Sequence, residues 1–207
     1  MEQGIKKLLI NELQDILSAE EQIVQALPDM IKASDSKDLK AAFKAHLAET
    51  KEQIKRLTQV FKLLDVPKKS KFCKGTKGLI DECTEVLKEM KTKSALRDAA
   101  LISRAQRIEH YEMACYGAMR TYAKELNFKE VASLLQATLN EEGNANRHLT
   151  RLAEGGLFRK GINILANKAA DDKVAPKAKR TPVAKPVKAA KAAAKPVKKS
   201  AKIVSKK

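Results

Sequence analysis

Tryptophan is absent from this 207-residue chain, aromatics make up 4% of it, and there are only eight glycines and six prolines. The alternation of apolar and polar residues that marks a strand is nearly missing. The three cysteines, Cys73, Cys83 and Cys115, are odd in number and form no Cys-x-x-Cys pair, which points to a reduced, cytosolic protein rather than a disulfide framework. No apolar run approaches the roughly 20 residues of a membrane span. The start, Met1-Glu2-Gln3-Gly4, leads straight into an amphipathic pattern with no signal-peptide signature. What remains is rich in Ala, Leu, Lys, Glu and Gln, all good helix formers, so the expected class is all-α.

Acidic residues are missing from one region. Between 173 and 207 there are thirteen Lys or Arg and no Asp or Glu, so residues 1–172 keep 29 basic against 25 acidic side chains and the overall charge of +17 belongs mostly to the C-terminus. The chain therefore divides into a near-neutral domain over 1–156, a linker over 157–172 and a basic tail over 173–207.

Four long helices are expected in the domain. The first covers about 3–27 with the stripe Leu9, Leu13, Ile16, Glu20, Ile23, Leu27, and Pro28 marks its end. The second covers about 37–64 after the capping candidates Ser34-Asp35-Ser36, with the stripe Leu39, Ala42, His46, Glu49, Gln53, Val60, Leu64. A long connection, 65–94, has a short helical pattern over 78–90. The third helix starts after Ser94 and runs to about 125, its stripe reading Ile102, Ala105, Glu109, Glu112, Tyr116, Met119, Ala123. Asn127 with Glu130 resembles a capping box opening the fourth, which runs to about 153 through Val131, Leu135, Thr138, Glu142, Ala145, Leu149, Leu152. Two antiparallel hairpins joined by a long connection make a four-helix bundle with a crossover, the arrangement of ferritin-like folds.

Each apolar stripe carries a carboxylate where a buried apolar side chain belongs. Two such groups one turn apart, Glu109 and Glu112, are costly to bury unpaired. Glu112 and Glu142 lie at equal distances either side of Asn127, and Glu20 falls nearly level with His46 and Glu49 about the first turn, near residue 32. Five carboxylates, Glu20, Glu49, Glu109, Glu112 and Glu142, with His46, are the ligand chemistry of a two-metal carboxylate centre for Fe, Mn or Zn. The competing reading is that a stripe is one residue out of phase and its glutamate is an ordinary solvated group. Beyond the metal ligands, no separate catalytic residue is expected. His110 points about 100° away from Glu109 and reads as structural or as a support to a ligand, not as a ligand itself; His148 reads as surface, Cys115 as a packing group, and Tyr111 and Tyr116 as packing aromatics, with hydrogen bonding to ligands or electron transfer as the alternative.

The chain resembles the YciF-type ferritin-like family of bacterial stress proteins. The resemblance is carried by Ser18-Ala19-Glu20-Glu21-Gln22, His46-Leu47-Ala48-Glu49-Thr50 with Gln53, Arg97-Asp98-Ala99-Ala100-Leu101-Ile102, Glu109-His110-Tyr111-Glu112 with Tyr116, and Leu139-Asn140-Glu141-Glu142. It covers about residues 5–154 and implies a ferritin-like bundle with a two-metal centre, usually taken as iron. The broader Glu-x-x-His pattern is altered: His46 precedes Glu49, and Ala145 stands three residues after Glu142. Glu141 or Glu142 can then supply the fourth-helix ligand, and His46 can either ligate or hold a carboxylate in place.

The tail resembles the Lys/Ala/Pro tails of linker histones. With no acid, aromatic or glycine, and with Pro176, Pro182, Pro186 and Pro196, it is expected to be disordered. Lys177, Lys179, Arg180, Lys185, Lys188, Lys191, Lys195, Lys198, Lys199 and Lys202 are candidates for non-sequence-specific contacts to DNA phosphates. The expected function is a stress-related di-iron (or manganese) protein that oxidises Fe2+ with O2 or peroxide while held on DNA. Its expected setting is the cytoplasm, on the nucleoid, as a homodimer with no membrane partner. The alternative is a non-enzymatic nucleoid or structural stress protein whose bundle is a scaffold.

Overall fold

The structure is a computed structural model that describes residues 4–157 and 159–174, the backbone alone for 170–174. Its helices are α1 (Ile5–Ala33), α2 (Lys37–Leu63), α3 (Lys74–Glu89), α4 (Ala95–Glu125), α5 (Lys129–Glu154) and α6 (Ile162–Val174), with the two-residue strands β1 (Gly155–Gly156) and β2 (Arg159–Lys160) between the last two. The four long helices form the all-α ferritin-like bundle. The expected third and fourth helices are α4 and α5, and α3 lies in the crossover. No helix among the described residues is long and apolar enough to cross a membrane.

Apolar contacts fix the directions. Leu9, Leu13 and Ile16 cluster with Tyr116, Met119 and Ala123, whereas Ile23, Leu27 and Met30 cluster with Ile102, Ala105 and Ile108. α1 and α4 therefore run antiparallel, and α2 and α4 run the same way. Two same-direction helices in sequence need a connection that spans the bundle, and residues 64–94 supply it.

Two local expectations are corrected. Pro28 does not end the first helix; it sits inside α1, on an exposed face, and the helix continues to Ala33. Proline removes one intrahelical hydrogen bond, but Met30 extends the buried face of Leu27 by another turn and holds the segment helical. Asn127 does not cap α5. Its backbone is left-handed, with φ at 61°, and the helix begins after Phe128 with no side-chain cap; an asparagine tolerates that conformation and reverses the chain after α4. Ser36, by contrast, caps α2 as expected, accepting from the Leu39 N–H at 3.3 Å.

β1, at the end of the stretch read as the domain, pairs antiparallel with β2 in the stretch read as a linker, where α6 also buries Ile162 and Ala166. The stretch 175–207, read as a disordered DNA-contacting tail, lies outside the described residues.

Arg97 and Asp98 at the start of α4 are both buried. The Asp98 carboxylate accepts from the backbone N–H groups of Asp35 and Ser36 at 2.9 and 2.7 Å. The Arg97 guanidinium donates to the carbonyls of Met90 and Lys91 at 3.0 and 2.9 Å, and also to that of Ala33. One dipeptide thus satisfies the chain ends of α1, α2 and α3 where they meet. Hydrogen bonds to a charged group contribute about 1.5–3 kcal/mol each, so Asp98→Ala should cost roughly 3 kcal/mol in urea unfolding. A loss below about 0.5 kcal/mol would show that this junction does not hold the connections.

Candidate metal centre

The bundle core is divided. One apolar cluster, with Leu13, Leu57 and Met119, fills one end, and another, with Leu27, Phe43 and Leu101, fills the other. Between them lies a layer of buried polar groups from all four long helices: Glu20, His46, Thr50, Gln53, Glu109, Glu112, Thr138 and Glu142.

The sequence builds this layer by interrupting each stripe at one level. On α1, Glu20 follows Leu13 and Ile16 on the same face and is fully buried. On α4, Glu109 and Glu112 fall between Ala105 and Tyr116, and on α5 Glu142 falls between Leu135 and Leu149. His46, Glu109, Glu112 and Glu142 each direct one nitrogen or oxygen so that the four atoms lie within 4.8 Å of one another. His46 Nε2 is 3.5 Å from Glu109 Oε1. Glu20 joins them as a near neighbour: the charge of Glu142 is the largest influence on its carboxyl after burial.

Two of the predicted residues stand elsewhere. Glu49 is half exposed, on the rim, with one oxygen 3.9 Å from His46 Nδ1. The buried face of α2 runs through Phe43, His46, Thr50, Gln53 and Leu57, so Thr50 takes the inward place assigned to Glu49. Thr50 buries cheaply because its hydroxyl donates to the His46 carbonyl at 2.8 Å. Glu141 is held by Arg56 in a two-pronged pair, both contacts at 2.8 Å, and accepts from Gln53 Nε2 at 3.1 Å. Partial burial would raise its pKa, but these donors outweigh burial and keep it below the usual carboxylate range. Of the two adjacent acids, Glu142 is the one in the buried layer.

Two supporting groups exceed what their sequence positions suggested. Tyr116, read as a packing aromatic, is fully buried and its hydroxyl donates to Glu20. Burial, then the charge of Glu20, pushes that hydroxyl far above its ordinary pKa, so it stays a donor. Gln53 donates to Glu142 Oε1 at 2.5 Å. A long polar side chain on an otherwise apolar stripe was the available signal for both. His110 is exposed, with Nδ1 2.7 Å from the Gln106 carbonyl, and His148 is exposed as expected. Tyr111 contacts Cys73 Sγ at 3.1 Å and Asp15 at 3.2 Å, away from the carboxylates.

The electrostatics of the layer are unfavourable. Among the described residues, no Lys or Arg forms an ion pair with Glu20, Glu109, Glu112 or Glu142. Burial first, then repulsion from neighbouring carboxylates, raises Glu20, Glu109 and Glu112 well above the ordinary carboxylate range. Both oxygens of Glu112 and one each of Glu20, Glu109 and Glu142 have no hydrogen-bond partner, nor does His46 Nδ1. Unpartnered buried oxygens from three sides with an imidazole are a donor set suited to divalent transition metals. The residues present therefore fit a metal centre.

The fold and this donor set define a ferritin-like bundle with a carboxylate–histidine core. The family model described as a domain of unknown function, DUF892, matches residues 4–161, and the chain belongs to that family. It is 41% identical over 160 residues to Protein YciF of Escherichia coli K12, covering 77% of this chain and 96% of that protein. The crystal structure of the E. coli stress protein YciF superposes with a TM-score of 0.70 over 73% of this chain and 95% of that one, at 41% identity. YcfI of Rhodopseudomonas palustris, provisionally called a structural protein, gives the same TM-score and identity over 73% and 96%. A Xanthomonas campestris protein at 17% identity and TM-score 0.61, covering 83% and 100%, shares the fold.

A carboxyl whose pKa is raised by folding stabilises the fold below its ordinary value, 4.5, and the contribution is lost as pH rises through the raised value. Metal-free protein should therefore lose thermal stability as pH rises from about 5 to 8. Glu112→Gln removes a charge while keeping the shape, so it should raise the metal-free Tm at pH 8 and abolish stabilisation by added Mn2+ or Fe2+. An unchanged metal-free Tm with full metal stabilisation would contradict this reading.

Proposed function

We propose that the bundle houses a two-metal centre, iron first with manganese or zinc as alternatives, and that the protein serves a stress response by oxidising Fe2+. One observation carries the reading: ligand atoms of three buried carboxylates and an imidazole lie within 4.8 Å of one another, with buried Glu20 beside them and no Lys or Arg among the described residues paired with any of the four carboxylates. Glu20, His46, Glu109, Glu112 and Glu142 would hold the ions, with Glu49 and Glu141 outside that set. Bound iron would supply electron transfer from Fe2+ to O2 or peroxide. The chain's own part is positional. Tyr116 fixes one Glu20 oxygen with its proton, Gln53 orients Glu142, and apolar clusters flank the layer on either side.

The stress assignment draws on the E. coli relative, which is described as a stress protein. Tethering to DNA in the cytoplasm is the second half of the proposal and rests on the thirteen positive charges of 173–207. A self-associated pair of chains is proposed for the working form. The provisional structural label of the R. palustris relative favours a second reading, a scaffold without redox activity.

Two measurements decide. Anaerobically loaded Fe2+ should be oxidised on admitting O2 or peroxide at a rate that falls at least about tenfold in Glu112→Ala and Glu142→Ala; equal rates in both variants and wild type favour the scaffold. Affinity for duplex DNA should fall by at least about 10³ between 50 and 200 mM salt, as for six or more phosphate contacts, and vanish on deleting 173–207. Retained binding in the deletion would overturn the tether.

A further inference from the structure

The cleft between α2 and α5 ends on the metal layer. It holds about 420 Å3, the size range of small-molecule sites rather than of a gas channel. Its floor is His46 and Glu109, both buried, each with an atom that has no hydrogen-bond partner. Its walls are mostly apolar, with Ala42, Phe43 and Ala45 from α2 and Ala145 and Leu149 from α5, and Asn144 adds a polar group. Ala145 stands one turn after Glu142, where a Glu-x-x-His pattern would place an imidazole. The missing ring leaves space beside the layer, and the cleft runs into that space. One and two turns further along α5, the exposed His148 and Arg151 line the same cleft. Neither forms an ion pair among the described residues.

We infer that this cleft binds a small organic monoanion, a carboxylate with an apolar or aromatic body, as a substrate or effector of the metal layer. The polarity of the cleft sets the orientation. Arg151 at the mouth attracts an anionic end, and the alanines between offer the body an uncharged slot. The ligand's apolar end therefore faces His46 and Glu109. Glu49 on the rim adds a negative charge that disfavours dianions. The inference rests on the proposed metal centre for the ligand's chemical role, though not for its binding.

Benzoate serves as the probe, titrated into the full-length chain with and without Mn2+ and followed by ligand-observed NMR. Benzoate should bind at millimolar or tighter affinity and at least fivefold tighter than benzamide, its uncharged analogue. Arg151→Ala should erase that preference. Ala145→Phe should weaken benzoate at least tenfold while leaving Mn2+ uptake intact, and Ala45→Phe fills the cleft from its exposed wall should the first variant misfold. Absent benzoate binding, or binding that neither filled variant weakens, overturns the inference. Equal affinity for benzamide overturns its anionic part. Benzoate binding with the expected variant effects in a chain that takes up no metal supports the cleft and overturns the metal reading instead.

Discussion

Four carboxylates share one buried level of this bundle without a Lys or Arg partner among the described residues, and the rest of the structure is arranged around that constraint. Burying charge without compensation is expensive, so such groups take up protons or bind cations. The raised pKa values of Glu20, Glu109 and Glu112 are the metal-free form of this compensation. Among the described residues, the basic group within the layer is His46, 3.5 Å from Glu109. Arg56 is committed to Glu141 at the rim. The layer thus keeps its unpartnered oxygens facing one another, which is unfavourable for a mere packing core and suited to divalent ions.

The fold gives this layer rigid walls. Two apolar clusters flank it, and the crossover containing α3 lets α4 run in the direction that brings Glu109 and Glu112 opposite Glu20. Arg97 and Asp98 hold the ends of three helices together at one end of the bundle, which sets the level at which the stripes meet. Stability and site placement are therefore coupled through a polar junction some distance from the carboxylates.

Much of this was readable from periodicity. The stripes of α1 and α4 lead to Glu20 and to Glu109 with Glu112, and all three are buried. α2 is different. A spacing through His46, Glu49 and Gln53 and one through His46, Thr50 and Gln53 fit a helix equally well, and the tie is broken only by Phe43 and Leu57 packing inward. The choice between Glu141 and Glu142 likewise needed a partner on another helix, Arg56. Pro28 and Asn127 misled because each obeys a sound local rule that tertiary packing overrides. The role of Arg97 and Asp98 was invisible for another reason: their partners are backbone groups on segments up to 64 residues away, and carbonyls and amides leave no trace in the sequence.

The central claim is that the carboxylate layer is a metal site. Elemental analysis of full-length protein, purified without chelators and quantified per chain, tests it most directly. The account predicts about two Fe, Mn or Zn ions per chain that survive gel filtration and disappear from Glu112→Ala. Wild-type protein with no stoichiometric metal after incubation with Fe2+ or Mn2+, or a Glu112→Ala variant that retains the full complement, would contradict it.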